Sequence, residues 1–174
     1  MNSPSAYVYR GARAMVLLQE QHVRLFLETW RRAEASSLPL PATEDPDYAS
    51  RAALLRHVLR ASRGYLIWIC KQLDLPDPQI DAVPEEAVVE ARADGYLAHL
   101  LDRWDGPLRD VPEERFFHPE HLSAWNVRYC IDGMLEHAVM HPIRHRFQLE
   151  ELLERGRQGT ACASGWAGRR RGAT

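Results

Sequence analysis

The fold is decided by Gly133-Met-Leu-Glu-His137-Ala-Val-Met-His141-Pro-Ile-Arg-His145-Arg-Phe-Gln148-Leu149, a stretch in which a histidine recurs at every fourth position. On an α-helix, a step of four residues advances about 400°, so the three histidines form one slowly drifting stripe. Neighbouring imidazoles at this spacing have Cβ atoms roughly 6 Å apart, close enough for two of them to bind one divalent metal ion. A complete site then needs a further ligand from another element.

Three more segments show the apolar periodicity of amphipathic helices, and none of the chain reads convincingly as a strand. The predicted helices cover about 7–35, 48–73, 84–104 and 124–154. Asp47 and Ser123 are candidate N-caps of the second and fourth helices, and 108–122 is expected to be a long connection. This pattern predicts an all-α protein built as a four-helix bundle.

The length of 174 residues favours one domain, which we place at 1–154, followed by a Gly/Arg-rich tail at 155–174. Small residues and arginines without apolar periodicity do not offset the entropy cost of ordering the backbone, so the tail is expected to be disordered. A weak electrostatic contact of Arg169, Arg170 and Arg171 with nucleic acid is the alternative. The net charge of −2 otherwise gives no reason to expect a nucleic-acid partner.

The composition, with 45% hydrophobic and 26% charged residues, is typical of a globular protein. No run approaches the roughly 20 apolar residues of a membrane span, and the first residues lack the basic-then-apolar order of a signal peptide. Cys70, Cys130 and Cys162 are far apart and show no CxxC spacing, which favours free thiols in a reducing compartment. We therefore expect a cytoplasmic protein without a membrane partner.

His57 is the candidate for the missing ligand. It lies in the apolar stripe of the second helix, where an imidazole without a partner would cost a few kcal/mol. Taken alone, it is more typical of a hydrogen-bonded core histidine. Bundles commonly build metal sites from side chains on facing helices, however, and three imidazoles leave a coordination position open, as in catalytic sites. His57, His141 and His145 are therefore the predicted ligands of Zn²⁺, Ni²⁺, Mn²⁺ or Fe²⁺, all of which imidazole binds.

Five nearby residues have predicted supporting roles. His137, one turn before the pair, is expected to support the ligands or simply to pack. Arg146 and Gln148 are expected to orient ligands or to close the helix end, since such partners commonly fix imidazole tautomers. Tyr65 and Trp68, on the stripe of His57, belong to the core or line a pocket.

Two short motifs carry a resemblance to a known family. Leu54-Leu55-Arg56-His57, followed on the last helix by His137-x3-His141-x2-Arg144-His145-Arg146-x-Gln148-Leu149, resembles the DinB/YfiT-like metalloenzyme superfamily. The resemblance implies an up-down-down-up four-helix bundle, frequently a homodimer, in which a histidine triad binds a divalent metal. It assigns the ligand roles to His57, His141 and His145.

The chain departs from that pattern next to the site. Family members often carry a small residue after the first ligand of the last helix, and His-His where this chain has Arg144-His145. Here Pro142 follows His141 and removes an amide from the helix, so a kink or a local π-type widening is expected there. Such a distortion would either tune or spoil the spacing of His141 and His145.

The function expected from these features is divalent-metal-dependent catalysis. A metal with an open position activates either a bound water, as in a hydrolase, or a thiol as its thiolate. The resemblance favours the second, a low-molecular-weight-thiol S-transferase that acts on an electrophilic substrate in detoxification or stress response. The alternatives are a metal-dependent hydrolase and a non-catalytic DinB-like bundle whose histidine cluster is structural or vestigial.

Overall fold

The computed structural model describes residues 7–167, and their side chains as far as residue 158. The elements are α1 (Arg10–Ala35), α2 (Arg51–Gln72), α3 (Glu86–Trp104), α4 (Glu114–Phe117), β1 (His121–Leu122), β2 (Arg128–Tyr129) and α5 (Ile131–Ala167), with a short 3-10 helix at Pro46–Tyr48 before α2. The predicted all-α class is confirmed, because helices make up most of the chain and the two strands form a single small antiparallel sheet.

The long helices enclose one hydrophobic core. α1 packs along α5, and α2 packs against both α3 and α5. The fully buried large side chains come from every long helix and from the connections, and include Phe26, Leu55, Leu59, Leu66, Ile69, Leu100, Trp104, Phe116, Ile131 and Met134. Since α2 and α5 are neighbours, residues on their facing sides meet inside the protein.

The beginning of α2 differs from the prediction. Asp47 was the expected N-cap, but the helix begins at Arg51 and the side chain of Ser50 caps it by accepting a hydrogen bond from the Ala53 amide at 2.9 Å. The difference arises because Pro46–Tyr48 forms a separate 3-10 turn, which is capped by Asp45. The Asp47 carboxylate is thereby left available for other contacts.

The predicted start of the fourth helix at residue 124 is wrong. The chain first forms a hairpin, in which β1 pairs with β2, and α5 begins only at Ile131. Ser123 closes the turn instead of capping a helix: its amide donates to the Val127 carbonyl at 2.8 Å and its hydroxyl accepts from the Val127 amide at 3.1 Å. Asn126, at a φ of 61°, reverses the chain.

The far end of α5 also differs from the prediction, which ended the helix at residue 154. α5 continues to Ala167, through the first part of the predicted tail, and residues 168–174 lie outside the described residues. An ion pair one turn apart, between Arg155 and Glu151 at 2.6 Å, supports the continuation. Pro142 lies inside α5 without a π-type turn, so the expected local widening is absent there.

Two further expectations concern cysteines and membranes. Cys70 and Cys130 are free, while the side chain of Cys162 lies outside the described part of the chain. Between residues 7 and 167, none of the helices combines the length and the apolar character needed to cross a membrane.

Candidate metal centre

The three predicted ligands meet where α2 faces α5. One ring nitrogen from each of His57, His141 and His145 lies within 4.8 Å of the others. Nε2 of His57 is 3.1 Å from Nε2 of His141, and the three ring centroids are 4.6 to 5.2 Å apart. The four-residue spacing on α5 therefore stacks two imidazoles beside the one supplied by α2.

The outer nitrogen of His57 is held by a carboxylate. Its Nδ1 lies 2.9 Å from Oδ2 of Asp47, and Arg60 donates through Nη2 to both oxygens of the same carboxylate at 2.9 Å. An ionised carboxylate only accepts hydrogen bonds, so Nδ1 of His57 carries the proton and Nε2 presents its lone pair to the cluster.

His145 is oriented in the same sense by an amide. Its Nδ1 lies 2.9 Å from Oε1 of Gln148, one turn further along α5. An amide oxygen accepts, so Nδ1 donates and Nε2 is left as the free donor atom toward a metal. The side chain is 1% exposed, which fixes the ring in this orientation.

His141 has no such partner. Its Nδ1 is buried and has no hydrogen-bond partner among the described side chains, while its Nε2 faces His57. Burial lowers the pKa of His141 to about 2, and the neighbouring histidines add to this effect. Burial also lowers the pKa of His145 to about 4, although the hydrogen bond to Gln148 acts in the opposite direction. Both rings are therefore neutral at pH 7.

These residues fit a divalent ion. Metal ligation requires neutral imidazoles, and histidine ligands usually donate their other N–H to an oxygen, as His57 and His145 do. Two nitrogens bound to one tetrahedral zinc ion at about 2.05 Å are roughly 3.3 Å apart, close to the 3.1 Å between His57 and His141.

The third histidine of the α5 stripe has a different environment. The ring of His137 stacks on Trp125 at a centroid distance of 5.3 Å and an angle of 27°, and edge contacts with Tyr65 and Tyr129 lie at 5.4 and 5.6 Å. His137 is thus packed among aromatic rings one turn from the cluster.

Arg146 and Gln148, predicted together as supporting residues, point to different places. Gln148 contacts His145 as described above. The guanidinium of Arg146 lies 4.9 Å from the centroid of the Phe147 ring, and its Nε is 3.6 Å from Glu150. Burial lowers the pKa of His22 on α1, and the positive charge of Arg146 adds a smaller effect in the same direction. These contacts of Arg146 are therefore with its own helix, and its charge acts on His22 of α1.

A cavity of about 470 Å³ adjoins the cluster. Its lining includes His57 and His141 together with the two predicted pocket residues, Tyr65 and Trp68. Trp125, on the hairpin between β1 and β2, completes the aromatic part of the wall and is 44% exposed.

Sequence reasoning missed four residues around the cluster. Asp47 and Arg60 anchor His57, and Arg60 lies three positions after it on the same helix face, which is a signal that the sequence contains. The ring of Tyr48 lies 5.8 Å from that of His57 and 5.6 Å from that of His145, and burial raises the pKa of its hydroxyl. Trp125 fell within the helix predicted at 124–154, so no local pattern of the sequence indicated that it lies at the site.

Comparison with known proteins adds no relative. No protein-family model, no curated protein and no solved structure matches the chain.

Proposed function

We propose that the protein is a divalent-metal-dependent enzyme of the DinB/YfiT-like superfamily, and specifically a low-molecular-weight-thiol S-transferase of detoxification or stress response. The observation that carries the proposal is the convergence of one ring nitrogen from each of His57, His141 and His145 within 4.8 Å. Three neutral imidazoles leave at least one coordination position of a bound metal open for an exogenous ligand.

The chemistry that such an ion supplies is Lewis-acid activation of a thiol or of a water molecule. The chain's own residues hold the site in order. Asp47, fixed by Arg60, keeps the proton of His57 on Nδ1, and Gln148 does the same for His145. The ring of Tyr48 covers the side of the cluster that faces the loop before α2. The adjoining cavity gives a substrate access to His57 and His141.

The proposal also covers the order of the helices and the location, oligomeric state, substrates and metal of the protein. We propose an up-down-down-up order of the long helices. It is supported by the contact of Tyr9 with Asp132, which joins the N-terminal ends of α1 and α5, and by the Gln19–Ser62 hydrogen bond between α1 and α2. We propose a cytoplasmic homodimer that takes a thiol and an electrophile as substrates and uses Zn²⁺, Ni²⁺, Mn²⁺ or Fe²⁺.

The test is metal analysis of the purified protein combined with a turnover assay. We expect about one divalent ion per chain, and loss of that ion in a variant with His57→Ala, His141→Ala and His145→Ala together. We expect consumption of a low-molecular-weight thiol in the presence of an electrophile, abolished by a chelator and restored by the metal. A protein that neither carries nor binds a divalent ion would refute the proposal.

One observation favours a second candidate, a non-catalytic bundle with a structural cluster. His57 and His141 are within hydrogen-bonding distance of each other, so the cluster links α2 to α5 without an ion. In that case the triple variant loses thermal stability, while chelator and added metal leave the melting temperature of the wild type unchanged. A rise in melting temperature with added metal would exclude this candidate.

A further inference from the structure

We propose that the cavity beside the histidine cluster binds a neutral aromatic ligand. The identification of this ligand with a substrate rests on the proposed function. The electrophilic substrate then carries an aryl group that lies in this cavity, with its reactive end toward His57 and His141. The inference stands on the lining of the cavity and on its charge, and a glycine in its wall gives the means to test it.

The wall of the cavity is mainly aromatic. Tyr65 and Trp68 of α2 and Trp125 of the hairpin line it, and Met134 of α5 adds a thioether, which makes favourable contacts with aromatic rings. Tyr65 and Trp125 meet edge to face at a centroid distance of 6.3 Å. Aromatic ligands gain stacked and edge contacts from such a wall, beyond the burial of apolar area. The volume of about 470 Å³ is in the ordinary range for a small-molecule site.

The charge of the lining favours a neutral ligand. Arg60 is its one formally charged residue, and the Asp47 carboxylate already accepts two hydrogen bonds from it. The two histidines in the wall are partners in the cluster, with their Nε2 atoms 3.1 Å apart. In the metal-free protein, neither an anionic nor a cationic ligand would therefore find an uncompensated opposite charge in the cavity.

Gly64 is a position from which the cavity can be filled. It lies in the middle of α2, where glycine is less favourable than alanine, and it lines the cavity. A Cβ built on it meets no atom within 4 Å, so packing of the chain itself does not require glycine at this position. Gly95 in the middle of α3 has equally open surroundings and lies away from the cavity lining, which makes it a matched control.

The experiment is calorimetric titration of the purified full-length protein with naphthalenemethanol, with and without chelator. We expect saturable binding by the wild type. Gly64→Leu, which fills the cavity, and Trp125→Ala, which removes part of its wall, should each weaken binding by about tenfold or more. Gly95→Leu should bind as the wild type does. To the chelated protein, in which no metal ion attracts the sulfonate, naphthalenesulfonate, which is anionic, and cyclohexylmethanol, which is not aromatic, should bind several-fold more weakly.

The outcomes separate this inference from the proposed function. Absence of naphthalenemethanol binding, equal weakening by Gly64→Leu and Gly95→Leu, or tighter binding of the sulfonate to the chelated protein would overturn the neutral aromatic site. Metal titration of the same samples would still report on the histidine cluster. Conversely, naphthalenemethanol binding by a protein that takes up no metal would support the cavity as a binding site and refute the metal-dependent function.

Discussion

His137 and His145 lie at the two ends of one histidine stripe on α5, yet their surroundings have little in common. His145 is 1% exposed, donates to Gln148 and faces His57 of α2. His137 stacks on Trp125 and contacts two tyrosine rings. The same helical spacing thus leads to a polar cluster at one end and to aromatic packing at the other. The role of each histidine is set by what the facing elements present, since periodicity decides only which side of the helix a residue occupies.

The largest expected contrast is in metal affinity. His145→Ala removes one of the three proposed ligands, so we expect divalent-metal affinity to fall more than about 100-fold. This exceeds the loss usually caused by substituting a residue that only supports a ligand. His137→Ala should change that affinity by less than about threefold, because its ring contacts are aromatic. Competition titration against a chromogenic chelator measures both. Similar losses in the two variants would mean that His137 is itself a ligand.

The next contrast is in the pH dependence of metal-free stability. The pKa of His145 is lowered to about 4, below the ordinary value of 6.5, so as the pH falls below 6.5 the unfolded chain takes up the proton first. The free energy of unfolding should therefore fall between pH 6.5 and pH 4, at up to about 1.4 kcal/mol per pH unit for this residue. Below pH 4 both the folded and the unfolded chain carry this proton, so the loss of stability from His145 is complete and does not grow further.

His141, with a pKa lowered to about 2, adds a loss of the same sign that extends to lower pH. Urea unfolding of chelated protein at several pH values measures the slope. His145→Gln, which cannot titrate, should flatten it in that window. An unchanged slope in His145→Gln would contradict the assignment of a neutral, buried His145.

A smaller effect is expected at the anchor of His57. Asp47→Asn keeps a hydrogen-bond acceptor but loses the charge that holds the Nδ1 proton, so metal affinity should fall about 10- to 100-fold. Asp94→Asn, which disrupts the exposed ion pair of Asp94 with Arg31, is the matched control and should leave the affinity unchanged. Equal affinities in the two variants would remove Asp47 from the site.

The smallest effect is expected at the aromatic end of the stripe. Trp125→Ala removes the stacked partner of His137 and an edge contact with Tyr65, so the free energy of unfolding should fall by about 1 kcal/mol without a change in metal affinity. Val127→Ala, on the same hairpin and 45% exposed, should stay within about 0.5 kcal/mol of the wild type. A drop in metal affinity in Trp125→Ala would show that the two ends of the stripe are coupled.

Local patterns were sufficient to place the predicted ligands on facing helices. The four-residue step puts His141 and His145 on one side of α5, and the position of His57 in an apolar stripe directs it inward. Their convergence is a consequence of these two periodicities and of the packing of α2 on α5.

The features that the sequence did not reveal depend on long-range or turn geometry. Asp47 contacts His57 only because a 3-10 turn precedes α2 and Ser50 takes over the cap. Trp125 reaches the site only because Asn126 reverses the chain within a stretch that has apolar residues at helical spacing. The composition of the segment after residue 154 predicted disorder, since segments rich in glycine and arginine have little apolar surface with which to stabilise a helix. In the structure α5 nevertheless continues to Ala167.

The hairpin that carries Trp125 has a consequence for how the protein can diversify. The histidines are fixed by two long helices that also form the core, so changes near them are costly to folding. One wall of the cavity, by contrast, belongs to a short connection whose Leu122, Trp125 and Val127 are exposed. Loops of this kind accept substitution and insertion with little loss of stability. The proposed ligand preference and the proposed metal chemistry can therefore change independently, since substitutions in the hairpin leave the histidine cluster itself unchanged.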